Sequence, residues 1–229
     1  MFQTDPFALI LLFIGLAMMP FVAMVATSYL KIVVVMSLIR NALGIQSIPP
    51  NMVINALAMV LTFYIMAPVC SESWNIVRTE KIAMAQRQKE NAQPQQDQPF
   101  FETDIAVKAA EPFRAWLQRQ TGDRERSFFV ATAERLWSKN GEVETTVDPN
   151  SFYILLPSYC VSELTKAFQI GFLVYLPFIA IDIIVSNILL AMGMMMVSPV
   201  TISLPFKLLL FVLVDGWTLL IQGLVRSYI

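Results

Sequence analysis

Apolar residues gather in long runs toward the two ends of this chain, and polar residues gather in the middle. Residues 7–40 and 52–69 form a first apolar block; residues 168–191 and 204–222 dominate a second. Between them, residues 71–150 hold 24 of the 33 Asp, Glu, Lys and Arg residues, so most of the charge lies in one insert. Runs of this length and hydropathy predict membrane helices. The second block is organised around Met192-Gly193-Met194-Met195-Met196-Val197-Ser198-Pro199, which is poor helix and good turn. Gly193 can take a positive φ, and Pro199 can stop the preceding segment or start the next. The pattern predicts an apolar helical hairpin with a soft thioether cluster at its tip. Methionine is unbranched and polarizable. The tip therefore reads either as a buried turn filled by adaptable side chains, or as a deformable seal around something that moves.

Prolines punctuate each apolar run. Pro20 divides the first into residues 7–19, too short to cross a bilayer alone, and 21–40, long enough only with Lys31 inside it. Asn41-Ala42-Leu43-Gly44 and Ile48-Pro49-Pro50-Asn51 predict a loop that ends one helix and opens another. Pro68 closes the second run. In the insert, residues 86–99 are rich in Gln and read as a linker, while 112–120 and 124–139 read as helices. Asp123 suits the N-cap of the latter, and Phe129, Ala133, Leu136 and Trp137 share one of its faces. Asn140-Gly141 and Asp148-Pro149 mark turns. The expected fold is an all-α membrane protein: proline-broken apolar helical hairpins, 1–70 and 151–229, flanking a small, mostly helical polar insert, 71–150. Prolines free carbonyls that lipid cannot satisfy, so such helices need protein neighbours. A chain this short cannot surround four broken helices by itself, which predicts an oligomer.

Composition narrows the chemistry. The 229 residues are 56% hydrophobic and 14% charged, with a mean hydropathy of +0.61, values that belong to a membrane protein. A net charge of −1 leaves no basic footprint for nucleic acid. There is no histidine, which removes most zinc sites, most triads and the usual general base. Cys70 and Cys160 have no metal-ligand spacing; both are expected as free, buried thiols on the outer side. No phosphate-binding glycine loop or HExxH motif is present. No enzyme activity, cofactor or metal is expected. Lys31 and Arg40, with no acidic residue nearby, put the first connection in the cytoplasm and the insert outside. The apolar start lacks a basic region ahead of it, so it reads as a mature segment rather than a cleavable signal.

Few charges remain inside the apolar blocks, and each seeks a partner. Asp182 is the only charge between Ala167 and Phe206. Asp182 and Lys207 are equidistant from the middle of the methionine turn, so an antiparallel hairpin brings them level. Asp215 competes for Lys207, and a neighbouring subunit could satisfy either charge. Glu163 and Lys166, three apart, suit a local pair, with an inter-subunit pair as the alternative. Tyr159, Trp217 and Tyr228 read as packing or anchoring aromatics.

Leu155-Leu156-Pro157-Ser158-Tyr159 and Ser162-Glu163-Leu164-Thr165-Lys166-Ala167-Phe168-Gln169-Ile170-Gly171-Phe172 resemble the signature of one family, the type III secretion export-apparatus protein SctR, called FliP in flagella. Asn41-Ala42-Leu43-Gly44, Pro49-Pro50-Asn51, the methionine turn, Leu204-Pro205-Phe206-Lys207 and Asp215-Gly216-Trp217 resemble it too. The likeness covers nearly the whole chain and is weakest in the insert. It implies an inner-membrane pore subunit: five copies joined to SctS- and SctT-like partners, beside an SctU-like subunit, largely on the periplasmic side. It also implies a gasket of methionine tips that closes the pore until unfolded polypeptide passes. The unpreceded apolar start favours the injectisome branch over the flagellar one. An ion-coupled transporter using Asp182, and a purely structural scaffold, are the competing readings.

Overall fold

The computed structural model describes residues 6–45, 48–90, 100–137 and 147–229, and the described residues form helices without strands. In chain order these are α1 (Pro6–Val25), α2 (Tyr29–Ala42), α3 (Asn51–Glu90), α4 (Phe100–Gln120), α5 (Asp123–Trp137), α6 (Phe152–Ala191), α7 (Pro199–Leu213) and α8 (Gly216–Arg226). The all-α, apolar-helix reading holds. Two helices, α3 and α6, are long and apolar enough to cross a membrane, and the bent pairs α1–α2 and α7–α8 each pass the same test when taken as one span.

The loops at Pro49-Pro50 and before Pro199 fall where the sequence predicts them, but the other prolines do not break their helices. Pro20 lies inside α1, Pro68 inside α3 and Pro205 inside α7. A proline removes one backbone donor and kinks a helix, but a helix among apolar neighbours can absorb that loss. The first apolar run breaks instead at Ala26-Thr27-Ser28, with a 58° bend. There the Thr27 hydroxyl takes the carbonyl of Ala23 at 2.7 Å, a local competition with the helix backbone. The second break lies after α7, at 61°. Asp215 sits in the left-handed region (φ 54°) and receives a hydrogen bond from the Thr218 hydroxyl at 3.1 Å. Asp is among the few non-glycine residues that tolerate this conformation. Gly216 follows because a Cβ there would meet the Phe211 ring at 2.4 Å, and Trp217 packs edge-on against the same ring.

The chain divides into two compact units, residues 1–63 with 163–229, and residues 64–162. Both divisions fall within helices: α3 runs without a break from its apolar start into charged sequence, although composition changes there. In the first unit, Ile32, Val35, Met36 and Ile39 form the buried stripe of α2, at the i, i+3, i+4, i+7 spacing of an amphipathic helix. α6 approaches α2 so closely at Gly171 that a Cβ would lie 2.3 Å from Leu38. Phe211, Leu220 and Leu224 bury apolar surface from α7 and α8.

In the second unit, Leu117, Ile154, Leu155 and Tyr159 are fully buried, and Trp116 packs on Tyr159 with centroids 5.2 Å apart. Asp123 is the first residue of α5 rather than its cap, since the Arg126 amide bonds to the carbonyl of Gly122. Its carboxylate instead pairs with Arg126 at 2.7 Å. On α5 only Ala133 is buried, while Leu136 and Trp137 stay exposed, so the proposed apolar face is covered only in part. Asp148-Pro149 forms a turn, with the Asp148 carboxylate accepting from the Asn150 amide. Of the expected 86–99 linker, residues 86–90 are instead the helical end of α3, and the rest, with Asn140-Gly141, lies outside the described residues. Neither cysteine forms a disulfide; Cys70 is exposed rather than buried, and Cys160 is half-buried.

Candidate functional site

The methionine turn is capped by its own backbone. The amide of Gly193 bonds to the carbonyl of Leu190, and the amide of Met194 to that of Leu189, both at 3.0 Å. This pair of bonds, with Gly193 at φ +72°, is a Schellman end to α6. Ser198 is extended and Pro199 opens α7 at its first position, where a missing amide hydrogen costs nothing. Sequence therefore produces a sharp reversal in which backbone bonds cap the end of α6 and the methionine side chains project. Met192 and Met194 are exposed, Met195 is 81% exposed and Met196 is 101% exposed. In a single chain these thioethers have little to pack against.

Below the turn, the two arms are joined by charge. Lys207 Nζ lies 2.6 Å from Asp182 Oδ2, and the buried Ser203 hydroxyl donates to the other carboxylate oxygen. Ser203 and Lys207, four apart, occupy one face of α7, which is why both reach the same carboxylate. Lys207 Nζ also donates to the carbonyl of Ala42, the last residue of α2, at 3.3 Å. Lys207 is buried, while Asp182 is 31% exposed. Asp215 takes no part; its carboxylate is held by Thr218.

A second cluster lies further back on α6. Glu163 is 0% exposed; it meets Lys166 at 3.1 Å, as the spacing predicts, and Lys31 at 3.1 Å, which the spacing does not. Lys31 is 1% exposed and lies 3.7 Å from the centre of the Tyr228 ring. The Tyr228 hydroxyl sits 2.7 Å from Glu163 Oε2, and Lys31 also donates to Ser227 Oγ at 3.1 Å. Such a pair can stay buried because every partner of the carboxylate is a cation or a donor. A lysine neutralised this way says nothing about which side of a membrane it faces, so the topological argument loses Lys31 and keeps only Arg40. Arg40 donates to the carbonyl of Pro49 and to the Asn51 side chain, closing the predicted loop. Among the described residues no cluster of carboxylates and thiols could hold a metal ion.

Comparison with known proteins adds the family. The family model described as FliP matches residues 11–224. The chain belongs to the FliP family. It is 47% identical over 224 residues to the Yop proteins translocation protein R of Yersinia pestis, covering 98% of this chain and 97% of that one. The hypersensitivity response secretion protein HrcR of Ralstonia nicotianae is 42% identical over 221 residues, 96% of both chains. The flagellar biosynthetic protein FliP of Agrobacterium fabrum is 37% identical, over 93% of this chain and 80% of its own length. The resemblance carried by the motifs around Glu163, the methionine turn and Lys207 thus holds along nearly the full chain. Family and apolar helices together make this an inner-membrane component of a type III secretion export apparatus, assembled with other subunits of that apparatus.

Proposed function

We propose that this chain is a pore-forming subunit of the export gate, and that copies of its methionine turn meet on an axis to form a seal for unfolded polypeptide. One observation carries the reading: a turn capped by backbone bonds presents four methionines that a single chain leaves exposed. Apolar constrictions block ions by dewetting, and thioethers yield to any passing side chain without leaving polar atoms unpaired. The Asp182–Lys207 pair fixes the two arms, so the tip deforms while its base does not. Five copies, SctS- and SctT-like partners and an SctU-like neighbour belong to the same proposal. So do a largely periplasmic position and membership of the injectisome branch. Exposed apolar side chains such as Phe13, Phe21, Phe172 and Leu213 support burial against lipid or other subunits. An ion-coupled transporter would need a carboxylate free to load and release its ion; Asp182 is engaged by Lys207 and Ser203, which counts against it.

The test is conductance. Met194, Met195 and Met196 are replaced together by alanine in the purified gate complex, which is then placed in a planar bilayer. The closed complex should leak small ions well above wild type while export in cells persists at least in part. A triple variant with wild-type conductance removes the seal.

A further inference from the structure

The 58° bend between α1 and α2 has its support far away in sequence. At Ser28 the backbone is helical (φ −61°, ψ −9°) and the side chain makes no cap. Among the described residues, its buried hydroxyl oxygen has no hydrogen-bond partner. The first bond of α2, from the Ile32 amide to the Ser28 carbonyl, is stretched to 3.4 Å. What reaches the bend is the end of α8. The Tyr228 hydroxyl lies 3.2 Å from the Ser28 carbonyl, 200 positions away in the chain, and 2.7 Å from the Glu163 carboxylate. Its single proton is shared by these two acceptors, the charged one being nearer. The same ring lies against the Lys31 ammonium, one turn into α2, and Ser227 accepts from that ammonium.

Beyond the bend, the described side chains of α1 are little buried. Every described side chain from Phe13 to Val25 is exposed, and a Cβ on Gly15 would meet nothing within 4 Å. We propose that Tyr228, helped by Ser227, is a positioning residue that sets the direction of α1 by locking the first turn of α2 to Glu163. Lys31 already ties α2 to Glu163, and docking of α8 completes the hold on the bend. Until then α1 swings about Thr27 and Ser28, and its apolar surface is offered at the right angle only by a finished subunit. The inference concerns one subunit and does not depend on whether the methionine turn seals a pore.

The test is a distance inside one subunit of the full-length protein in detergent micelles. Cys70 and Cys160 are replaced by serine and alanine, and spin labels are placed at two exposed sites, Leu16 on α1 and Leu209 on α7. Labelled protein is diluted into excess unlabelled protein, and pulsed electron resonance reads the distribution. The background protein should give one narrow distance. Tyr228→Phe keeps the ring over Lys31 and removes only the hydroxyl. The displaced population should rise roughly tenfold or more, the scale for losing a hydrogen bond to a charged group. Tyr228→Ala should broaden it further. An unchanged distribution in a helical, monodisperse Tyr228→Phe protein overturns the proposal. If that variant does not fold, Ser227→Ala decides, through a smaller shift in the same direction or, against the proposal, none.

Discussion

Glu163 and Asp182 are both carboxylates on α6, about 28 Å apart along its axis at 1.5 Å per residue, and the fold treats them differently. Glu163 is sealed and saturated, with Lys31, Lys166 and Tyr228 all drawn from its own chain. Asp182 has Lys207 and Ser203 on one side and remains partly open on the other. Burial decides how each pair contributes. Removing one partner from a dry pair strands an uncompensated charge, whereas water can take over much of the work at a partly open one. The first cluster is thus an internal brace of the subunit. The second is a brace with one face still available.

That contrast is open to attack at several strengths. Glu163→Ala should be the most damaging change, since it leaves Lys31 buried and unpaired; about 3–5 kcal/mol of stability should be lost, read as a collapse in the denaturation midpoint of the purified protein. Equal tolerance of Glu163→Ala and Asp182→Ala would erase the distinction. Next come Asp182→Lys and Lys207→Asp. Each alone should abolish assembly or export, and the double swap should restore part of it; a double variant no better than either single one breaks the pairing. Gly193→Ala should cost about 1–2 kcal/mol, because an L side chain is strained at positive φ, and it should loosen the turn without touching either charge cluster. A melting curve identical to wild type would mean that the turn adopts another backbone. Lys166→Ala should be the mildest, within about 0.5 kcal/mol, as expected of a half-exposed i, i+3 pair. A large loss there would show that Lys31 and Tyr228 do not satisfy Glu163 by themselves.

Short-range chemistry was readable in the chain, and long-range chemistry was not. The positive φ of Gly193, the start of α7 at Pro199 and the local Glu163–Lys166 pair follow from neighbours within a few residues. The Asp182–Lys207 contact was also accessible, because a hairpin converts equal distance from its tip into proximity. Lys31 meets Glu163 only through tertiary packing, and no periodicity links them; nor does any link Tyr228 to the α1–α2 bend. Apolar context alone offered a hint, since a lysine in such a run must be paired. Proline misled in the opposite direction. It weakens a helix by one bond, which α1, α3 and α7 absorb, while Thr27-Ser28 and Val214-Asp215, less conspicuous in composition, mark the real breaks.

The length of α6 has a mechanical side. From Glu163 to Met192, α6 runs unbroken through Pro177 over about 43 Å at 1.5 Å rise per residue. A tilt of about 5° at the braced end would sweep the turn sideways by about 4 Å, by plane geometry on that arm. That displacement is close to the thickness of one side chain. In the proposed pore, a subunit built this way need not remodel its turn to change the width at the tips. A small rocking motion at the carboxylate end, carried along one continuous helix, is enough.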